Sequence, residues 1–148
     1  MLGPFVNEIY AGRVERGLSA IESILPRLSQ DSTLANTLND VCWFSALHRY
    51  SETSGAWTYQ DRVLALCDQA VALDPDNADV ADSRGLVRAL SGDIAGAIAD
   101  FQNYIDANSP DSGLVKLRVA WIAALRQGRF PFTTEYLAEI RGDAVESD

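Results

Sequence analysis

Residues 81–110 read ADSRGLVRALSGDIAGAIADFQNYIDANSP, and the spacing inside this stretch decides the fold. Apolar side chains recur three and four residues apart, at Val87 and Leu90 and then at Ile94, Ala97, Ile98, Phe101 and Ile105, which is the period of a helix packed on one side. Ser91-Gly92-Asp93 interrupts the pattern once. Gly92 can take the left-handed conformation that ends a helix, Asp93 can cap the next one, and Pro110 forbids its continuation. Two helices joined by so short a turn must lie antiparallel. Gly85 and Ala97 let them approach closely, and Phe101 is placed to fill the space between this hairpin and the next.

The same period extends outward in both directions, as in Ile21, Ile24 and Leu25 or Val63, Leu64, Cys67 and Val71, and no segment alternates with period two. Polar breaks at Ala11-Gly12-Arg13, Ser29 to Ser32, Ser51 to Gly55, Asp74 to Asn77, Asn108 to Asp111 and Gln127 to Arg129 divide the chain further. The expectation is eight helices, near 4–11, 14–28, 33–50, 57–73, 78–91, 94–107, 112–127 and 133–141. They pair into hairpins near 4–28, 33–73, 78–107 and 112–141. Together these form one all-α domain over 1–141, followed by an acidic tail, 142–148, expected to fray.

With 148 residues, 47% of them hydrophobic, the chain can bury a substantial core. Twelve Lys and Arg against 21 Asp and Glu give a net charge of −9, which repels phosphate backbones and anionic lipid. Nucleic acid and membrane surfaces are therefore disfavoured partners. No apolar run approaches the roughly 20 residues of a membrane span, and no export signal is recognisable. Cys42 and Cys67 lack the paired spacing of a zinc or redox motif, so each reads as a packed core thiol in a reducing, cytoplasmic setting.

Catalysis finds no support. His48 follows Cys42 by an offset that puts the two side chains on different sides of one helix, and no GxSxG, HExxH, phosphate loop or CxxC occurs. No catalytic residue, metal or cofactor is expected. Asp74, Asp76 and Asp79 fall at a helix boundary, where capping explains them better than calcium. Trp43, Trp57 and Trp121 read as hairpin packing. Arg84 and Arg88 share a helix face inside apolar sequence, and burying a guanidinium unpaired is costly. Asp100 on the following helix and Asp68 on the preceding one are the expected partners, in an internal network that fixes hairpin register; the functional alternative leaves one arginine facing a groove, free for the carboxylate of a bound peptide.

Ala81-x2-Arg84-Gly85-x2-Arg88, then Ala97-x3-Phe101 and Pro110, resembles the tetratricopeptide repeat with its proline one residue late. From about Leu38 to Arg141 the chain is similar to a version of that repeat found at the ends of bacterial multidomain signalling proteins, beside caspase-like, NTPase or β-propeller domains. Leu38 to Trp43, Cys67 to Asp76, Asp82 to Asp93, Trp121 to Leu125 and Pro131 to Thr133 carry this likeness. Ser45, where glycine is usual, and the long loop at 51–56 depart from it.

The resemblance implies a short right-handed superhelix whose first helices line a groove holding a peptide or partner helix. Position by position, it places Asn39, Arg49, Asp79, Asp82, Leu86, Arg118, Ile122 and Leu125 on that groove. Leu86, Ile122 and Leu125 would anchor a ligand, and Arg49, Arg118 and Asp82 would set its register. The expected function is a non-catalytic protein-protein interaction module. The alternatives are a small acidic chaperone shielding a client, and a self-assembling module, a homodimer for instance, that packs Phe5 and Tyr10 or Phe130, Phe132 and Tyr136 of its end hairpins between copies.

Overall fold

A computed structural model describes residues 3–51 and 57–142; most of the long loop at 51–56 and the tail beyond Gly142 lie outside them. The described residues form eight α-helices and no strand: α1 (Gly3–Tyr10), α2 (Val14–Ile24), α3 (Ser32–Leu47), α4 (Gln60–Leu73), α5 (Ala78–Leu90), α6 (Ile94–Ala107), α7 (Gly113–Arg126) and α8 (Thr134–Arg141). Short 3-10 turns, Leu25–Arg27 and Arg49–Ser51, follow α2 and α3. They account for the helices expected to run as far as 28 and 50.

Local chemistry sets the boundaries. The Asp93 carboxylate accepts from the Gly96 amide, and Gly92 sits at φ 92°, so the α5–α6 turn is built as its sequence requires. Asp31, Ser112 and Thr133 cap α3, α7 and α8 in the same way. At α5 the cap is Asn77, not one of the three neighbouring aspartates: its side chain accepts from the Asp79 amide while its own amide donates to Asp74.

Helices α1 and α2, α3 and α4, and α5 and α6 pack as antiparallel hairpins; α3 and α4 both pack on α5, and α7 packs on α6. Close approach within α5–α6 depends on Gly85, where an added Cβ would lie 2.9 Å from the Phe101 ring and 3.0 Å from the Asp100 Cβ. Phe101 is fully buried, in edge contact with Trp121 of α7 at 5.2 Å between ring centres.

The C-terminal segment departs from the regular hairpin pattern. Helix α8 packs against α3 instead of lying along α7, and it touches α7 chiefly where the Trp121 indole donates to the Tyr136 hydroxyl at 2.8 Å. The Arg141 guanidinium donates to the Leu47 carbonyl, and the Tyr50 hydroxyl to the Phe132 carbonyl at 3.3 Å. Helix α5 lies between α3 and α7, held to one by packing and to the other by an Asp82–Arg118 ion pair. The segment from Arg129 to Arg141 therefore runs back over the face made by α7, α5 and α3. Phe132 and Leu137 are its buried anchors.

A second departure concerns the cysteines. Cys42 of α3 and Cys67 of α4 are joined in a disulfide with their Cα atoms 5.5 Å apart, so neither is a free thiol. Helical period placed both correctly in the core. The pairing of the two helices let Cys67 approach Cys42, but the expectation was packed thiols and not a bond between them. Free thiols were one ground for expecting a reducing compartment, and that ground is removed.

Candidate functional site

At the N-terminal end of the same face, α3, α5 and α7 surround an open cavity of about 220 Å³. Asn39, Asp40 and Trp43 come from α3, Asp79, Asp82 and Ser83 from α5, and Leu114 and Arg118 from α7, with Tyr104 of α6 between them. Helical spacing explains the selection: residues three and four apart on one helix share a face. Four of the eight residues expected to line a groove, Asn39, Asp79, Asp82 and Arg118, meet here.

Asp82 and Arg118 form the floor of the cavity. Arg118 Nε donates to Asp82 Oδ1 at 2.9 Å and Nη2 to Oδ2 at 2.5 Å, with about 5% of either side chain exposed. The guanidinium also lies over Trp121, Tyr104 and Trp43, 4.5, 4.8 and 5.7 Å from the ring centres. Desolvation pushes the Asp82 carboxyl up from the usual carboxylate range, against the pull of Arg118. The two charges thus satisfy each other across the α5–α7 boundary while still lining the cavity.

The rim carries less consumed charge. Asp40 and Asp79 are exposed and have no ion-pair partner among the described residues. Desolvation nonetheless raises the Asp40 carboxyl, and the Asp79 charge helps to raise Asp82 and Tyr104 nearby. Leu114 stands 54% exposed beside them. The Asn39 Oδ1 is shielded from water without a hydrogen-bond donor, an uncommon state for a buried acceptor.

The other expected groove residues lie elsewhere. Leu86, Ile122 and Leu125 are buried in the same core as Phe132 and Leu137, and Ile122 also lines a recess with Gln102 and Ile105 of α6. Arg49 is on the loop after α3, with its guanidinium over the rings of Tyr50 and Trp57. Asp40, Trp43, Ser83, Tyr104 and Leu114 belong to the cavity and were not among the expected groove residues. Asp40 adjoins Asn39 and Ser83 adjoins Asp82, while Trp43 follows Asn39 and Leu114 precedes Arg118 by one helical turn, so that signal was available; Tyr104 required the tertiary packing.

Arg84 and Arg88 find internal partners. Arg84 donates to both Asp100 oxygens at 3.0 Å and to Asp68 at 3.4 Å, while Arg88 reaches Asp100 at 3.0 Å and Asp93 at 3.8 Å. Asp100 is the buried centre of this network. Among the end-hairpin aromatics, Phe132 is buried and Tyr136 is bonded to Trp121, whereas Tyr10 packs on Phe44 at 4.1 Å and Phe130 stays 42% exposed.

Among the described residues, no group of three His, Cys, Asp or Glu side chains is arranged to hold a metal ion, and no helix is long and apolar enough to cross a membrane. Comparison of the chain with protein-family models, curated proteins and solved structures finds no match in any of the three. The fold defines an all-α protein of packed hairpins, and any function has to be argued from the cavity and its surroundings.

Proposed function

We propose that the chain is a non-catalytic protein-protein interaction module, a short tetratricopeptide-like stack of hairpins that binds a segment of another protein across the cavity between α3, α5 and α7. The observation that carries this reading is an open recess built between α3, α5 and α7, with exposed Leu114 at its edge and uncompensated carboxylates on its rim. An apolar anchor beside charges that select register is the composition a specific contact uses. The bound segment would be short, because the returning chain occupies the other end of the face. The Cys42–Cys67 disulfide favours a compartment in which disulfides persist over the cytoplasm.

The reading is tested by selecting peptides from a displayed random library on the wild-type protein and measuring them again on Leu114→Ser. Selected peptides whose binding is lost in this variant, with helical circular dichroism unchanged, support the cavity as the docking site. Peptides that bind both proteins equally, or a selection that enriches nothing, would retire it.

A second reading, self-assembly, is favoured by one observation. Val119 of α7 stays 51% exposed at the edge of a recess that it lines with Gln102, Ile105 and Ile122. Sedimentation velocity across a wide concentration range, repeated on Val119→Lys, distinguishes it. A monomer at every concentration excludes this reading.

A further inference from the structure

We infer that the cavity selects a positively charged side chain, an arginine presented by the partner protein, with the residue beside it resting on Leu114. The inference rests on the interaction reading above and adds the chemistry of the ligand. Three carboxylates, Asp40, Asp79 and Asp82, line the recess together with the single guanidinium of Arg118, and that guanidinium is consumed by Asp82. The recess is thus left with the negative charge of Asp40 and Asp79, neither of which has an ion-pair partner among the described residues.

The remaining polar lining agrees in sign. The Asn39 Oδ1 lacks a donor. Its terminal torsion is soft, so a donor entering the cavity can meet this oxygen without breaking an existing hydrogen bond. Acceptors without donors call for a donor-rich ligand. Trp43 and Tyr104 add aromatic walls, which favour cations and planar guanidinium above all. Arg118 already uses that preference from within, lying over both rings.

A bare metal ion does not fit, since no three potential ligands converge among the described residues. A free amine or guanidine would share the chemistry of an arginine side chain. The exposed Leu114 at the rim favours the protein-borne source, because it offers apolar area that a small cation would leave unused.

The test follows the Trp43 indole N–H by NMR while ethylguanidinium chloride is added, against equal sodium chloride and against the neutral isostere ethylurea. A saturable shift with ethylguanidinium alone is expected, weakened about tenfold or more in D40N/D79N, whose substitutions lie at exposed positions and whose fold is checked by circular dichroism. Two blocked tripeptides, Leu-Arg-Leu and Leu-Gln-Leu, and agmatine then separate the sources. The arginine peptide binding most tightly supports the inference; agmatine binding more tightly overturns the protein-borne source. Equal shifts from ethylguanidinium and ethylurea, or no shift at the highest soluble concentration, overturn cation selection. If displayed peptides still dock at Leu114 in that case, the interaction reading survives without it; if they do not, both fall.

Discussion

The Arg118 guanidinium and the Asp82 carboxylate form a bidentate ion pair across the α5–α7 boundary, with both side chains almost wholly out of water. Removing one partner from such a pair leaves a buried, uncompensated charge, which costs about 3–5 kcal/mol, whereas replacing both with apolar residues of similar size is often close to neutral. Asp82→Leu and Arg118→Met should therefore each destabilise by about that amount, and the double variant by much less than their sum. Urea unfolding of the four proteins measures the coupling. Additive effects would mean that the pair does not hold the helices together.

Asp100 raises a related question, because one buried carboxylate serves two arginines. Arg84 takes both of its oxygens and Arg88 shares one, while the Asp68 contact to Arg84 is half-exposed and long at 3.4 Å. Asp100→Ala should cost about 3 kcal/mol or more by stranding two guanidiniums. Asp68→Ala should cost under about 1 kcal/mol, as expected for an exposed pair. Equal losses on thermal or urea unfolding would contradict the central position of Asp100.

These pairs mark where sequence reasoning succeeded and where it stopped. Periodicity and cap chemistry are local, so all eight helices were legible; so was the convergence of Arg84 and Arg88 on Asp100, since Gly85 and Phe101 fix the register of that hairpin. The path of α8 was not legible. Pro131 and the Thr133 cap announce a helix after a break, but nothing local distinguishes packing along α7 from packing back on α3. That choice is made by Phe132 and Leu137 finding burial. The open half of the face was partly legible, because the likeness to the tetratricopeptide repeat placed Asn39, Asp79, Asp82 and Arg118 on one side. Which of them were consumed by one another depended on the distance between α5 and α7.

The disulfide gives a prediction about redox conditions. Cys42 and Cys67 are separated by 25 positions, so their bond closes much of the α3–α4 hairpin, including its long loop. Restricting a loop of this size in the unfolded chain stabilises the fold by about 3–4 kcal/mol in the entropic account. Reduction, or Cys42→Ala with Cys67→Ala, should lower the melting temperature measurably and leave the helical circular dichroism at low temperature unchanged. Mass spectrometry under non-reducing denaturation checks the bond directly. Two alkylatable thiols in the untreated protein would show that it does not form.

The last prediction concerns the returning segment, where two phenylalanines two residues apart should behave oppositely. Phe132 is fully buried against Phe101 and Trp121, with ring centres 6.2 and 5.1 Å away, whereas Phe130 touches Phe132 but remains 42% exposed. Phe132→Ala removes a ring from a closed cluster and should cost about 3–5 kcal/mol. Phe130→Ala, already half in water, should cost about 1 kcal/mol. Truncation after Gly128 extends the comparison, because it removes Phe132, Leu137 and the Tyr136 acceptor of the Trp121 indole together. If the segment covers Leu86, Ile122 and Leu125, the truncated chain should expose a contiguous apolar face, bind a hydrophobic dye and self-associate. A truncated chain that stays folded, monomeric and dye-free would show that those three residues are buried by their own hairpins, and that the returning segment covers nothing essential.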